Sequence, residues 1–251
     1  MPNSPPKMDA RALGALIFTT ILVLFFLGGA SSLVYQVVWT RKLVLLFGTT
    51  AYAVSVVLSV FFLGLGLGSL MAGRFADRTP RPLAWFGVAQ IIIGLWAVAF
   101  ILGIAASEAW VVEALRGVAE SRAGGITLRA LLVAAFLLVP VTLMGATLPL
   151  LTRFVMRGHA FSGRGFRIGT LYSVNTLGAV VGTAAAGFLL VPAMGYLRAT
   201  LLAAALDIAV GIAALVLSRR HEASAGALGV DECVFAYSDV SYDHVMHLSA
   251  I

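Results

Sequence analysis

"TAYAVSVVLSVFFLGLGLGSLMAGRFADRTPRP", residues 50–82, is a long apolar run that ends abruptly in charge. Residues 50–73 contain no Asp, Glu, Lys or Arg. A bilayer core about 30 Å thick needs roughly 20 apolar residues as helix, so this stretch is read as a membrane span. The last ten residues, GRFADRTPRP, gather Arg74, Asp77, Arg78 and Arg81 around two prolines. Charge of that density is costly in hydrocarbon, and it marks where the chain leaves the membrane.

The pattern repeats along the chain. Six apolar runs qualify as spans, at about 13–38, 50–73, 83–105, 127–156, 169–192 and 197–218. They follow a short arm, 1–12, and precede a tail, 219–251, that is acidic beyond Arg220. Of the 251 residues 61% are hydrophobic and 11% charged, and the mean hydropathy is +1.01. Soluble domains carry about 25% charged residues, so the composition excludes a water-soluble globular protein. The N-terminal apolar run has no short h-region with a small-residue cleavage site, and reads as a retained first helix. Pro140 and Pro149 predict a kink or an early break in the fourth run, with Thr142 and Thr147 placed to satisfy freed carbonyls. Between the third and fourth runs, Trp110, Val111, Ala114, Leu115 and Val118 share a helical face and suggest a short interfacial helix.

The net charge is +6. The basic residues sit at the ends of the apolar runs, which points to topology and lipid contact rather than nucleic acid. Eleven Lys and Arg fall on the side of both termini and six on the other. Both ends are therefore expected in the cytoplasm, in a bacterial cytoplasmic (inner) membrane. Gly64, Gly66 and Gly68 in the second run, and Gly178 and Gly182 in the fifth, are read as helix-packing positions. Cys233 is the single cysteine, so no intrachain disulfide forms.

The loop Gly73, Ala76, Asp77, Arg78, Arg81 has the spacing G-x-x-A-D-R-x-x-R. It resembles the signature loop between helices two and three of major facilitator superfamily transporters, with Pro80 and Pro82 where a glycine and a basic residue are usual. The fold expected is an all-α integral membrane protein, a six-helix bundle resembling half of such a transporter. On a turn after the second helix, Asp77 would accept hydrogen bonds at a helix N-terminus, with the arginines pairing to it or to lipid phosphate.

Three further stretches, "GGASSLVYQVVWTRKLVLLFGTTAYAVSVVLSVFFLGLGLGSLMAGRFADR", "VPVTLMGATLPLLTRF" and "GTLYSVNTLGAVVGTAAAGFLLVPAMG", resemble the membrane region of spermidine synthase-like proteins. The resemblance covers about residues 14–218. It implies a half-transporter-like membrane region that, in the family, is joined to an aminopropyltransferase-like domain. The 31 residues after Arg220 hold no G-x-G-x-x-G and are too few for such a domain. The expectation for enzyme activity therefore leans to no, and no cofactor is called for.

Asp207 lies mid-span in "LLAAALDIAVGIAALVL". A carboxylate there costs about 2.5–3.5 kcal/mol on insertion scales, so it is either a cation or proton site or a hydrogen-bonded structural group. Tyr35, Gln36, Trp39 and Arg41, ending the first span, form either a polar site or an interfacial aromatic belt. Tyr172 and Asn175 read as interhelical glue or as ligand contacts. In the tail, Cys233, Asp243, His244 and His247 make too weak a pattern for a metal site. The leading reading is a membrane module that binds or delivers a small polar, polyamine-like molecule. A non-catalytic accessory or scaffold subunit is the alternative. Expected partners are the lipid bilayer, a second copy or other membrane subunits, and a small amine, with no nucleic acid.

Overall fold

The computed structural model describes residues 10–47, 51–116, 122–156 and 164–228. Among them every regular element is helical. The helices are α1 (Ala10–Phe47), α2 (Ala51–Arg78), α3 (Pro82–Arg116), α4 (Arg122–Met156), α5 (Arg164–Ala185) and α6 (Val191–Leu228). A single π-helical turn, Ala186–Leu190, links α5 to α6. Five runs are long and apolar enough to cross a membrane, consistent with an integral membrane protein.

The fifth run, Gly165–Arg220, is 56 residues long, far more than one crossing needs. It is interrupted at Gly195, whose φ of 78° and ψ of 173° lie outside helical space. Glycine reaches that region without the clash a Cβ would bring. Neighbouring contacts show what the break does. Phe25 and Trp39 of α1 meet Phe86 and Phe100 of α3 in the same order, so α1 and α3 run parallel. Gly178 and Gly182 of α5 lie against Phe26 and Ala30, so α5 also runs with α1. Gly87 and Gly94 of α3 face Gly211 and Ala204 of α6, so α6 runs the other way. The chain reverses at Gly195.

Helices pack in three close pairs, α1 with α5, α2 with α4 and α3 with α6. Lipid tails give helices no hydrophobic reason to associate, so small residues at the crossings bring backbones into van der Waals contact. A Cβ added at Gly178 or Gly182 would meet the carbonyls of Phe26 or Ala30, and one at Gly68 that of Thr142. Gly66 differs from the expectation: it faces open space, because it is two residues from both Gly64 and Gly68 and turned away from their face.

α4 continues as helix through Pro140 and Pro149 without the expected break. Pro140 lacks the N–H that would bond the Phe136 carbonyl, and Trp96 Nε1 of α3 donates to that oxygen at 3.0 Å. Thr147 instead donates to Met144, a carbonyl that neither proline frees. Trp110–Arg116 continue α3 as backbone helix, while 117–121, including Val118 of the expected interfacial helix, lie outside the described residues.

Two apolar clusters fill the bundle. One contains Tyr35, Trp39, Phe100, Leu137 and Ala203. The other contains Phe25, Phe86, Leu151, Phe154 and Val210. Asp207 sits on α6 between Ala203 and Val210, in a polar layer separating the two.

Candidate functional site

Ser31, Tyr35 and Trp39 recur every four residues along α1 and so share one face. That face meets α3 at Gln90 and α6 at Asp207. All five side chains are buried, Asp207 completely. Asp207 Oδ1 accepts hydrogen bonds from Ser31 Oγ at 2.5 Å and from Gln90 Nε2 at 3.3 Å. Ser31 Oγ also lies 2.9 Å from the Leu27 carbonyl and 3.3 Å from that of Gly28. Its single proton therefore has three competing acceptors, and the hydroxyl can serve the carboxyl as donor or as acceptor.

Glycine makes room for this arrangement. A Cβ at Gly28 would collide with Gln90 Nε2, and one at Gly94 would press on Asp207 and Ile208. The α3 backbone can thus lie close to α6, and Gln90 can reach across to the carboxylate.

The second carboxylate oxygen is different. Tyr35 faces Asp207 closely enough to interact with its carboxylate, though neither Tyr35 Oη nor Asp207 Oδ2 completes a hydrogen bond of good geometry. One turn further along α1, Trp39 Nε1 is also buried and without a partner. The Tyr35 and Trp39 rings stack at 5.2 Å with 11° between their planes, and Trp39 lies 5.1 Å from Phe100. Among the described residues no cationic side chain pairs with Asp207. Buried polar atoms are almost always satisfied. Three such atoms, an acceptor, a hydroxyl and an N–H donor, lie together along this part of the bundle.

The other residues singled out in the sequence lie elsewhere. Gln36 is half-buried on the neighbouring face of α1, and Arg41 is exposed. Lys42 places its ammonium 5.4 Å from the Tyr196 ring centroid. Tyr172 is 61% exposed. Asn175 sits on the α1–α5 seam, where its carboxamide and carbonyl oxygens fill the space beside Gly29. The Asp207 cluster therefore includes Tyr35 and Trp39 but not Gln36, Arg41, Tyr172 or Asn175. Ser31 and Gln90 join it unannounced. Gln90 carried a usable signal, as a carboxamide in the middle of an apolar run; Ser31 is four residues before Tyr35.

In the charged stretch 73–82, Gly73, Asp77 and Arg78 belong to the last turns of α2 rather than to a turn after it, and only residues 79–81 connect to α3. Asp77 lies 3.8 Å from Arg153 Nε of α4, at the same end of the bundle. In the connection, Thr79 Oγ1 accepts from the Arg81 amide at 3.3 Å. A Cβ at Gly73 would meet nothing, while Arg78 and Arg81 are exposed. No cluster of three metal-binding side chains occurs among the described residues. The tail positions Cys233, Asp243, His244 and His247 lie outside them.

No protein-family profile matches the chain, and no solved structure matches it. Two curated proteins of Streptomyces coelicolor are similar in sequence. Polyamine aminopropyltransferase 2 is 33% identical over 220 residues, which is 86% of this chain and 36% of the relative. Polyamine aminopropyltransferase 1 is 27% identical over 221 residues, 88% of this chain and 38% of the relative. The chain thus spans little more than a third of the length of these relatives. The similarities point to a spermidine synthase-like relationship, in agreement with the resemblance drawn from the three sequence stretches.

Proposed function

We propose that this chain is a membrane-embedded module that binds, and delivers within or across the bilayer, a small polyamine-like molecule. The observation that carries the reading is Asp207, a fully buried carboxylate with no cationic partner among the described residues. Its chain is similar to proteins named as polyamine aminopropyltransferases. An intramembrane carboxylate is expensive to keep, which favours a use for it. Tyr35 and Trp39 supply an aromatic wall suited to an organic cation.

The reversal at Gly195 supports counting residues 165–220 as two crossings, which gives six. Six helices with a GRFADR loop after the second are in keeping with half of a major facilitator-type transporter, and such a half calls for a second copy or a partner to complete a path. In this reading the membrane is the bacterial inner membrane. Both termini, and the Asp77–Arg153 pair, lie on its cytoplasmic side. Aminopropyl transfer is not assigned to the residues described.

The test is binding and uptake of labelled putrescine and spermidine by the purified protein in liposomes. Asp207→Asn keeps the size of the side chain and an acceptor oxygen but removes the charge. It is expected to weaken binding about tenfold or more, the scale of a charge-assisted hydrogen bond. Wild-type protein that binds neither amine would sink the proposal.

A further inference from the structure

The three unsatisfied atoms differ in kind. Asp207 Oδ2 is an acceptor, Tyr35 Oη is both donor and acceptor, and Trp39 Nε1 is a donor only. An ammonium group can use the first two and has nothing to offer the third. A ligand that completes all three carries a cation at one end and a hydrogen-bond acceptor at the other. Charge limits the choice further. Among the residues whose side chains are described, Asp207 is the buried carboxylate, and Asp77 is 74% exposed. A second buried ammonium would have no counter-ion, at a cost of several kcal/mol.

Spacing completes the case. Tyr35 and Trp39 are four residues apart on α1, a rise of about 6 Å, which an alkyl chain of three or four carbons can bridge. On the facing side, Ala199 and Ala203 continue the Asp207 face of α6 in the same buried cluster as the two rings. Their small side chains leave Tyr35, Trp39 and Phe100 as the apolar wall for such a chain.

We propose that Asp207, Tyr35 and Trp39 hold a short diamine end-on, one nitrogen as ammonium on Asp207 and the other uncharged, accepting a hydrogen bond from the Trp39 indole. This rests on the amine-binding reading above and adds a rule of selection: the second nitrogen is recognised by a donor, not by a second carboxylate.

The experiment is calorimetric titration of the full chain in lipid nanodiscs with 1,3-diaminopropane, 1,4-diaminobutane and butylamine at about pH 10, where an alkyl diamine releases its second proton to solvent at little cost. The diamines are expected to bind about tenfold more tightly than butylamine, one hydrogen bond's worth. Trp39→Phe keeps an aromatic ring and loses the N–H. It should bring the three amines to within about threefold of one another. Asp207→Asn should weaken all three. If Trp39→Phe does not extract as folded protein, the indole N–H resonance of Trp39 in the wild type serves instead. It should shift with diamine and not with butylamine.

Equal wild-type affinity for diamines and butylamine overturns the selection rule and leaves the amine-binding reading standing. A diamine preference that survives Trp39→Phe, or an indole resonance that ignores diamine, does the same. Failure of every amine to bind the wild type overturns both.

Discussion

Asp207 is held at the centre of the bundle by two neutral donors, Ser31 and Gln90, and by no cation among the described residues. Replacing Gln90 by Leu removes one donor without adding charge. Side-chain hydrogen bonds between membrane helices average about 0.6 kcal/mol and reach about 1.7. Gln90→Leu is expected within that range, because Ser31 still donates to the same carboxylate oxygen. Thermal unfolding in mild detergent measures the loss; a variant as stable as wild type would show that the contact contributes nothing. Asp77 and Arg153 form a contrasting pair. At 3.8 Å, with side chains 74% and 40% exposed, they are screened by solvent, and such pairs contribute little.

Among the elements, close contact between helices depends on where glycine faces. Gly182 of α5 abuts the carbonyl of Ala30 in α1, a backbone atom with no freedom to retreat. Gly182→Ala therefore forces the two helices apart, and overpacking of this kind costs about 1–3 kcal/mol. Gly66→Ala in α2 meets open space, so its stability should change by no more than about 0.5 kcal/mol, or rise slightly with helix propensity. Unfolding of the two variants side by side checks both. Equal losses would mean that the seams are not set by backbone contact. The α3–α4 seam has another basis, the Trp96 indole on the carbonyl that Pro140 leaves free.

For the whole molecule, the reversal at Gly195 makes a prediction about sides. In a Cys233→Ser background, single cysteines replace Arg78, Arg198 and Arg220, all of them exposed. A membrane-impermeant maleimide applied to intact cells should label Arg198→Cys alone. Inverted vesicles should expose the other two. Labelling of Arg198→Cys and Arg220→Cys from the same face would rule out six crossings.

The sequence by itself determined the solvent. Apolar runs long enough to span a bilayer, ended by Arg and Lys, leave no other class for the chain, because composition and run length are local properties. It also marked Asp207, since a mid-span carboxylate stands out against any apolar background. The tertiary structure decided the partners. Gln36 and Arg41 lie beside Tyr35 and Trp39 in sequence yet outside their site, while Ser31 and Gln90, from different helices, complete it. A helix turns about 100° per residue, so adjacent residues face different neighbours. Which neighbour each one meets follows from how α1, α3 and α6 cross. Glycines at 28, 87, 94 and 211 set that crossing by letting the helices touch. A run of apolar letters does not reveal which of its glycines lies at a crossing, as Gly66 and Gly68 show.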